Sequence, residues 1–144
     1  MLDFSALKNA IHSLQEGIAV VNDSHWFDAQ PEAVRNTLIA GVIQNFEFVY
    51  ELSIKMLKRQ LEAEAASLTE IDESSFRDVL RLAAEKGLIV DVQRWFDYRT
   101  MRNATAHTYD HEKAAQVYRD TASFIEDAII LLKQLEKRNA SATP

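Results

Sequence analysis

The 144 residues of this chain include only three glycines and two prolines. That shortage constrains the fold more than any motif does. Glycine supplies positive φ and proline presets turn geometry, so a chain with many β-turns needs more of both. With few breakers and much Ala, Leu, Glu and Lys, the chain is predicted to form long helices. The expected class is all-α: an antiparallel up-and-down bundle of four main helices plus a short extra one.

Apolar periodicity locates them. Leu7, Ile11, Leu14, Ile18 and Val21 recur at steps of four and three, one stripe on a first helix. Asp3 or Ser5 could cap it. NDSHWFDAQP breaks the pattern, and Pro31 fits the first turn of a second helix reaching about Ala66. That helix has a broad apolar arc. One stripe runs through Ile39, Ile43, Phe46, Tyr50, Ile54, Leu57 and Leu61. A second holds Leu38, Val42, Val49, Leu52 and Met56, as expected of a central helix touching several neighbours or a second subunit. LTEIDESS reads as a loop, with Asp72 or Ser74 capping a short third helix through Phe76, Val79, Leu80 and Ala83. Gly87 suits the C-terminal cap of that helix. Asp91 opens a fourth segment, and a last helix runs from about His111 to Lys137. One domain is expected over residues 1–139, with 140–144 as a disordered tail.

Charge and composition narrow the function. Hydrophobic residues at 47% and charged residues at 26% suit a soluble globular protein. A net charge of −6 argues against coating nucleic acid or membranes through a general basic field. With no cysteine, disulfides, thiolate chemistry and Cys-ligated zinc are excluded, which fits a reducing cytoplasm. The N-terminus lacks a cationic start followed by an apolar run, so no signal peptide is expected, and no stretch is long enough to span a membrane.

Against this background residues 102–110, RNATAHTYD, need a reason. An imidazole accepts a proton near neutral pH, and a guanidinium grips phosphate oxygens through two bonds. Together Arg102 and His107 supply the minimum for metal-free RNA cleavage: a base for the ribose 2′-hydroxyl and a cation for charge building on phosphorus. On a regular helix, five residues rotate by roughly 140°, so the two would not share a face. They converge only if the helix loosens near Thr105 to Thr108, where β-branched residues favour it, or if a second subunit supplies one of them. Asn103, four before His107, could hold its ring, and Arg94 and Arg99 make the segment locally basic. Equally, an Arg and a His near a helix end can serve as caps and dipole partners.

Gln44, Glu47, Glu51, Lys55 and Lys58 share one polar face of the second helix. Either Glu51 pairs with Lys55 in solvent, or one carboxylate faces Arg102 or orients His107. No metal site is expected: His107 and His111 straddle a helix break and no third ligand is in view. Trp26, Phe27, Trp95 and Phe96 read as core or dimer contacts. The chain has neither a Gly-rich phosphate loop nor a paired acid motif, so it should not itself be a nucleotidyltransferase.

RNATAHTY matches the pattern Arg, four residues, His, any residue, Tyr that marks HepT-like members of the HEPN superfamily. QNFEFVYELSIKMLK and EKGLIVDVQRWFDYRTMRNATAHTYD also resemble that family, most closely the nucleotidyltransferase substrate-binding proteins. The resemblance spans essentially the whole chain. It implies a dimerising helical bundle that acts without a metal and binds a minimal nucleotidyltransferase; no cofactor is expected. It also implies that Arg102 and His107 cut RNA and that Tyr109 accepts AMP from the partner. Asn103, Glu47 and Glu51 would support the site, and Arg94 and Arg99 would help bind phosphate. The alternative is a subunit that only binds a nucleotide or other substrate for its partner.

Overall fold

The computed structural model of the protein describes residues 2–66 and 75–140, and among these it is all-helical. Four helices form the body: α1 (Ser5–Asn22), α3 (Glu32–Glu64), α5 (Val92–Ala104) and α6 (His111–Ala140), with α2 (Ser24–Asp28) and α4 (Phe76–Glu85) as short additions. Side-chain pairs fix the directions. Lys8 at the start of α1 meets Glu136 near the end of α6 at 3.1 Å, while Tyr118 donates to Asn22 Oδ1 at 2.5 Å. At the same end as Glu136, Arg138 donates to Glu64 Oε1, near the end of α3, at 2.7 Å. Helix α1 therefore opposes α6, and α3 runs alongside α6, giving the up-and-down order. Among the described residues, no helix is long and apolar enough to cross a membrane.

Leu7, Ile11, Leu14 and Val21 are buried as the stripe on α1 requires, and so are Val42, Ile43, Phe46, Val49, Tyr50, Met56, Leu57 and Leu61 on α3. Helix α3 touches α1, α4, α5 and α6, which accounts for its broad apolar arc. Gly17 lies where α1 approaches α3 closely: a Cβ there would meet Val42 Cγ2 at 3.1 Å, a tight contact. The centre of the bundle is aromatic. Phe124 packs edge-on against Phe46 at 4.8 Å, Tyr98 at 5.0 Å and Trp95 at 6.0 Å, so one ring joins α3, α5 and α6.

Local details depart from the sequence reading in four places. NDSHWFDAQP is not a plain break, because Asp23 accepts from the Trp26 N–H at 3.3 Å and starts the single turn α2. The second helix begins one residue after Pro31 and ends at Glu64. Ser75 caps α4 by accepting from the Asp78 N–H at 3.2 Å, while the expected caps Asp72 and Ser74 lie outside the described residues. The last helix runs past Lys137 to Ala140, the first residue of the expected tail, and Asn139 donates to Gln60 Oε1 at 2.8 Å. Gly87 does end α4 as anticipated: its φ is 78°, and the next N–H, from Leu88, returns to the Ala83 carbonyl at 2.9 Å.

Because Phe124 is fully buried and central, Phe124→Ala is expected to cost about 3–5 kcal/mol, read as a lower midpoint in denaturant unfolding followed by circular dichroism.

Candidate functional site

Helix α5 delivers its polar side chains to different neighbours. Arg102 faces α3. Its Nε and Nη2 donate to Glu51 Oε1 at 3.1 and 2.8 Å, and Glu47 Oε2 lies 4.0 Å from Nη2. Its Nη1 donates to Thr105 Oγ1 at 3.1 Å, while that hydroxyl donates to the Arg102 carbonyl at 2.7 Å. The hydrogen bond to Glu51 is the main reason the Arg102 guanidinium holds its proton even more firmly than usual. This group is a permanent cation, already charge-compensated in the free chain.

The α-helix stops directly after these contacts. Thr105–His107 tighten into a 3-10 turn, and the Thr108 hydroxyl donates to the Thr105 carbonyl at 3.3 Å. Threonine hydroxyls that bond back to the main chain compete with helical continuation, which gives the break its local cause. Asp110 then restarts the chain as α6, its carboxylate accepting from the N–H groups of Glu112 and Lys113 at 3.0 and 3.4 Å. His107 stands exposed on the turn. Its Nδ1 lies 3.4 Å from the Tyr109 hydroxyl, with the two rings edge-on at 6.0 Å. Tyr109 is 79% exposed.

Residues 2–137 match the family described as nucleotidyltransferase substrate binding protein like. The chain belongs to this family. A protein from Haemophilus influenzae named probable ribonuclease HepT is 49% identical over 138 residues, covering 96% of this chain and 94% of its own length. A solved structure from Haemophilus influenzae, described as revealing the fold of a substrate binding domain of a nucleotidyltransferase, superposes with a TM-score of 0.91. It is 48% identical, covering 93% of this chain and 99% of its own. A Thermus thermophilus structure is more distant, at 25% identity and a TM-score of 0.68, covering 90% of this chain and 98% of its own.

In this member of the nucleotidyltransferase substrate-binding family, the candidate residues fall into two groups. Arg102, Glu47 and Glu51 meet at the contact of α3 and α5, and His107 and Tyr109 stand on the adjoining turn. Among the described residues, no hydrogen bond joins Arg102 to His107, and none joins Asn103 to the His107 ring. Asn103 is exposed. Thr105, read from the sequence only as a residue that loosens the helix, also links the guanidinium to the helix end.

Arg94 and Arg99 do not gather at Arg102. The Arg99 guanidinium stacks 4.4 Å over the Phe76 ring, clasping α4. Arg94 turns to α6, where its Nε meets Asp127 Oδ2 at 3.0 Å and its Nη2 donates to Ser123 Oγ at 3.1 Å. The hydroxyl of Tyr98 also donates to Asp127 Oδ2. Arg94, Tyr98 and Ser123 line a cleft of about 450 Å³ between α5 and α6, together with Met101, Val117 and Lys113. Asp127 is a buried acid on the apolar stripe of α6, between Phe124 and Leu131. Its placement on that stripe is the signal in the sequence that points to a buried partner.

Burial, followed by the hydrogen bond to the Asp127 carboxylate, pushes the Tyr98 phenol up to about 12. An unfolded tyrosine ionises near 10, so the unfolded chain binds fewer protons between those two values, and the stability carried by neutral Tyr98 is lost as pH rises through that window. Spectrophotometric titration is expected to find Tyr98 resisting ionisation until about pH 12, and Asp127→Asn is expected to lower that midpoint.

Proposed function

We propose that this chain is a metal-independent ribonuclease of the HepT type, acting in the cytoplasm and silenced when a minimal nucleotidyltransferase partner transfers AMP to Tyr109. The observation that carries the reading is one broken helix end, where Arg102 is held through Thr105 on the last helical turn and an exposed imidazole and phenol, His107 and Tyr109, pair on the turn that follows. A 49% identical relative bearing the name of a ribonuclease supports it. In the reaction, His107 takes the proton of the ribose 2′-hydroxyl, the 2′-oxygen attacks phosphorus and the 5′-oxygen leaves. Arg102 offsets the charge that builds on the phosphoryl oxygens, with a phosphate replacing Glu51 on the guanidinium. Glu51 and Glu47 hold Arg102 in readiness. Asn103 lies beside it as a lesser contributor, and Arg94 and Arg99 serve packing more than phosphate.

A homodimer completes the proposal. Val34, Gly41 and Phe48 recur every seven residues along α3. Val34 and Phe48 are 40% and 48% exposed, and space is open above Gly41. Such a strip suits a second copy of α3.

The second reading is a subunit that binds a nucleotide for its partner and cuts nothing. The cleft between Arg94 and Lys113 favours it, since its size and mixed lining suit a small molecule.

Expression of the intact chain without its partner is expected to slow growth and cleave RNA, and Arg102→Ala or His107→Ala to abolish both effects. Harmless expression with no cleavage of any RNA would favour the binding subunit. Phe48→Glu is expected to lower the mass measured by light scattering from dimer to monomer while leaving the helical spectrum intact.

A further inference from the structure

We infer that His107 is also the base that prepares Tyr109 for nucleotidyl transfer, so that one imidazole serves both the cleavage reaction and its silencing. This rests on the reading of Tyr109 as the AMP acceptor. A phenol is a weak nucleophile while protonated, and with an ordinary pKa near 10 only about one in a thousand is ionised at neutral pH. A base in contact with the hydroxyl removes that obstacle.

His107 fills the role by position. Its Nδ1 is the hydrogen-bond partner of the Tyr109 hydroxyl, at 3.4 Å. The nearest carboxylate in sequence, Asp110, is occupied with the N–H groups of Glu112 and Lys113. The other tyrosines are committed elsewhere. Tyr98 donates to Asp127, Tyr118 donates to Asn22, and Tyr50 is buried. Tyr109, at 79% exposed, is open to a triphosphate held by a partner enzyme.

In the transfer, the phenol O–H bond breaks and its proton passes to His107 Nδ1. The phenolic oxygen bonds the α-phosphorus of ATP, the bond from that phosphorus to the bridging oxygen breaks, and pyrophosphate leaves. The imidazolium then returns its proton to water. This requires the tautomer with hydrogen on Nε2. Cleavage through Nε2 requires the opposite tautomer, with Nδ1–H donated to the Tyr109 oxygen. Each chemistry uses its own ring nitrogen, and the ring serves one at a time. Once Tyr109 is an ester, its oxygen carries no proton to transfer, so His107 performs this step once per chain.

The test incubates the full chain with its nucleotidyltransferase partner and ATP, and follows adduct formation at Tyr109 by mass spectrometry. His107→Ala is expected to slow modification by roughly a hundredfold, with added imidazole restoring part of the rate. The control His111→Ala, exposed and outside the site, is expected to match the unaltered chain. Equal rates for the unaltered chain and His107→Ala would overturn the inference and leave Tyr109 as the acceptor. Absence of any adduct at Tyr109 in the unaltered chain would overturn both.

Discussion

The packing of Phe124 against Phe46, Trp95 and Tyr98 is the contact on which the other features depend. Helix α5 has only 13 residues, too few to be stable alone, so its rotation and height come from what it packs against. Trp95, Tyr98 and Met101 turn its apolar face inward. Once that face is set, the helical repeat leaves Arg102 directed at α3, Arg99 at α4 and Arg94 at α6. Three arginines within nine residues thus acquire three separate environments.

The environments differ in permanence. Asp127 is nearly buried and accepts from both Arg94 and Tyr98, so parting it from them would leave a charge without water or partner. Glu51 is half-exposed and holds Arg102 at the surface, where such pairs contribute about 0–1 kcal/mol. A competing anion can therefore displace Glu51 at little cost, whereas Arg94 stays where it is. The segment that looks uniformly basic in the sequence holds its three arginines in three different pairings, with Glu51, Phe76 and Asp127.

Much of the fold was legible because the long helices carry stripes over many turns, as on α1 and α6, and few residues could interrupt them. The single turn α2 was not, since five residues cannot display a period; only the capping Asp23 marks it. At the site, the break after Arg102 could be foreseen from the β-branched threonines. The choice of Glu51 between Lys55 and Arg102 could not, because Arg102 lies 51 positions away and reaches it only through tertiary packing. The pairing of Arg94 was illegible for the same reason: its partner Asp127 is 33 residues downstream, and nothing in the spacing around RNATAHTYD points to it. Asn103 occupied a sound helical register for His107, but the register ends at Ala104, before the ring is reached.

The two carboxylates beside Arg102 make ionic strength act on this site in opposed directions. A polyanion arriving at a chain of net charge −6 is repelled at long range, and dissolved salt, with a screening length of about 8–10 Å, weakens that repulsion. In the proposed exchange of Glu51 for phosphate, the same salt weakens both the grip of guanidinium on phosphate and the hold of Glu51 that must be released first. On that proposal much of the steep loss of affinity with salt, familiar from basic nucleic-acid binders, would cancel. Selection among anions then falls to shape and contact at the turn rather than to attraction from a distance.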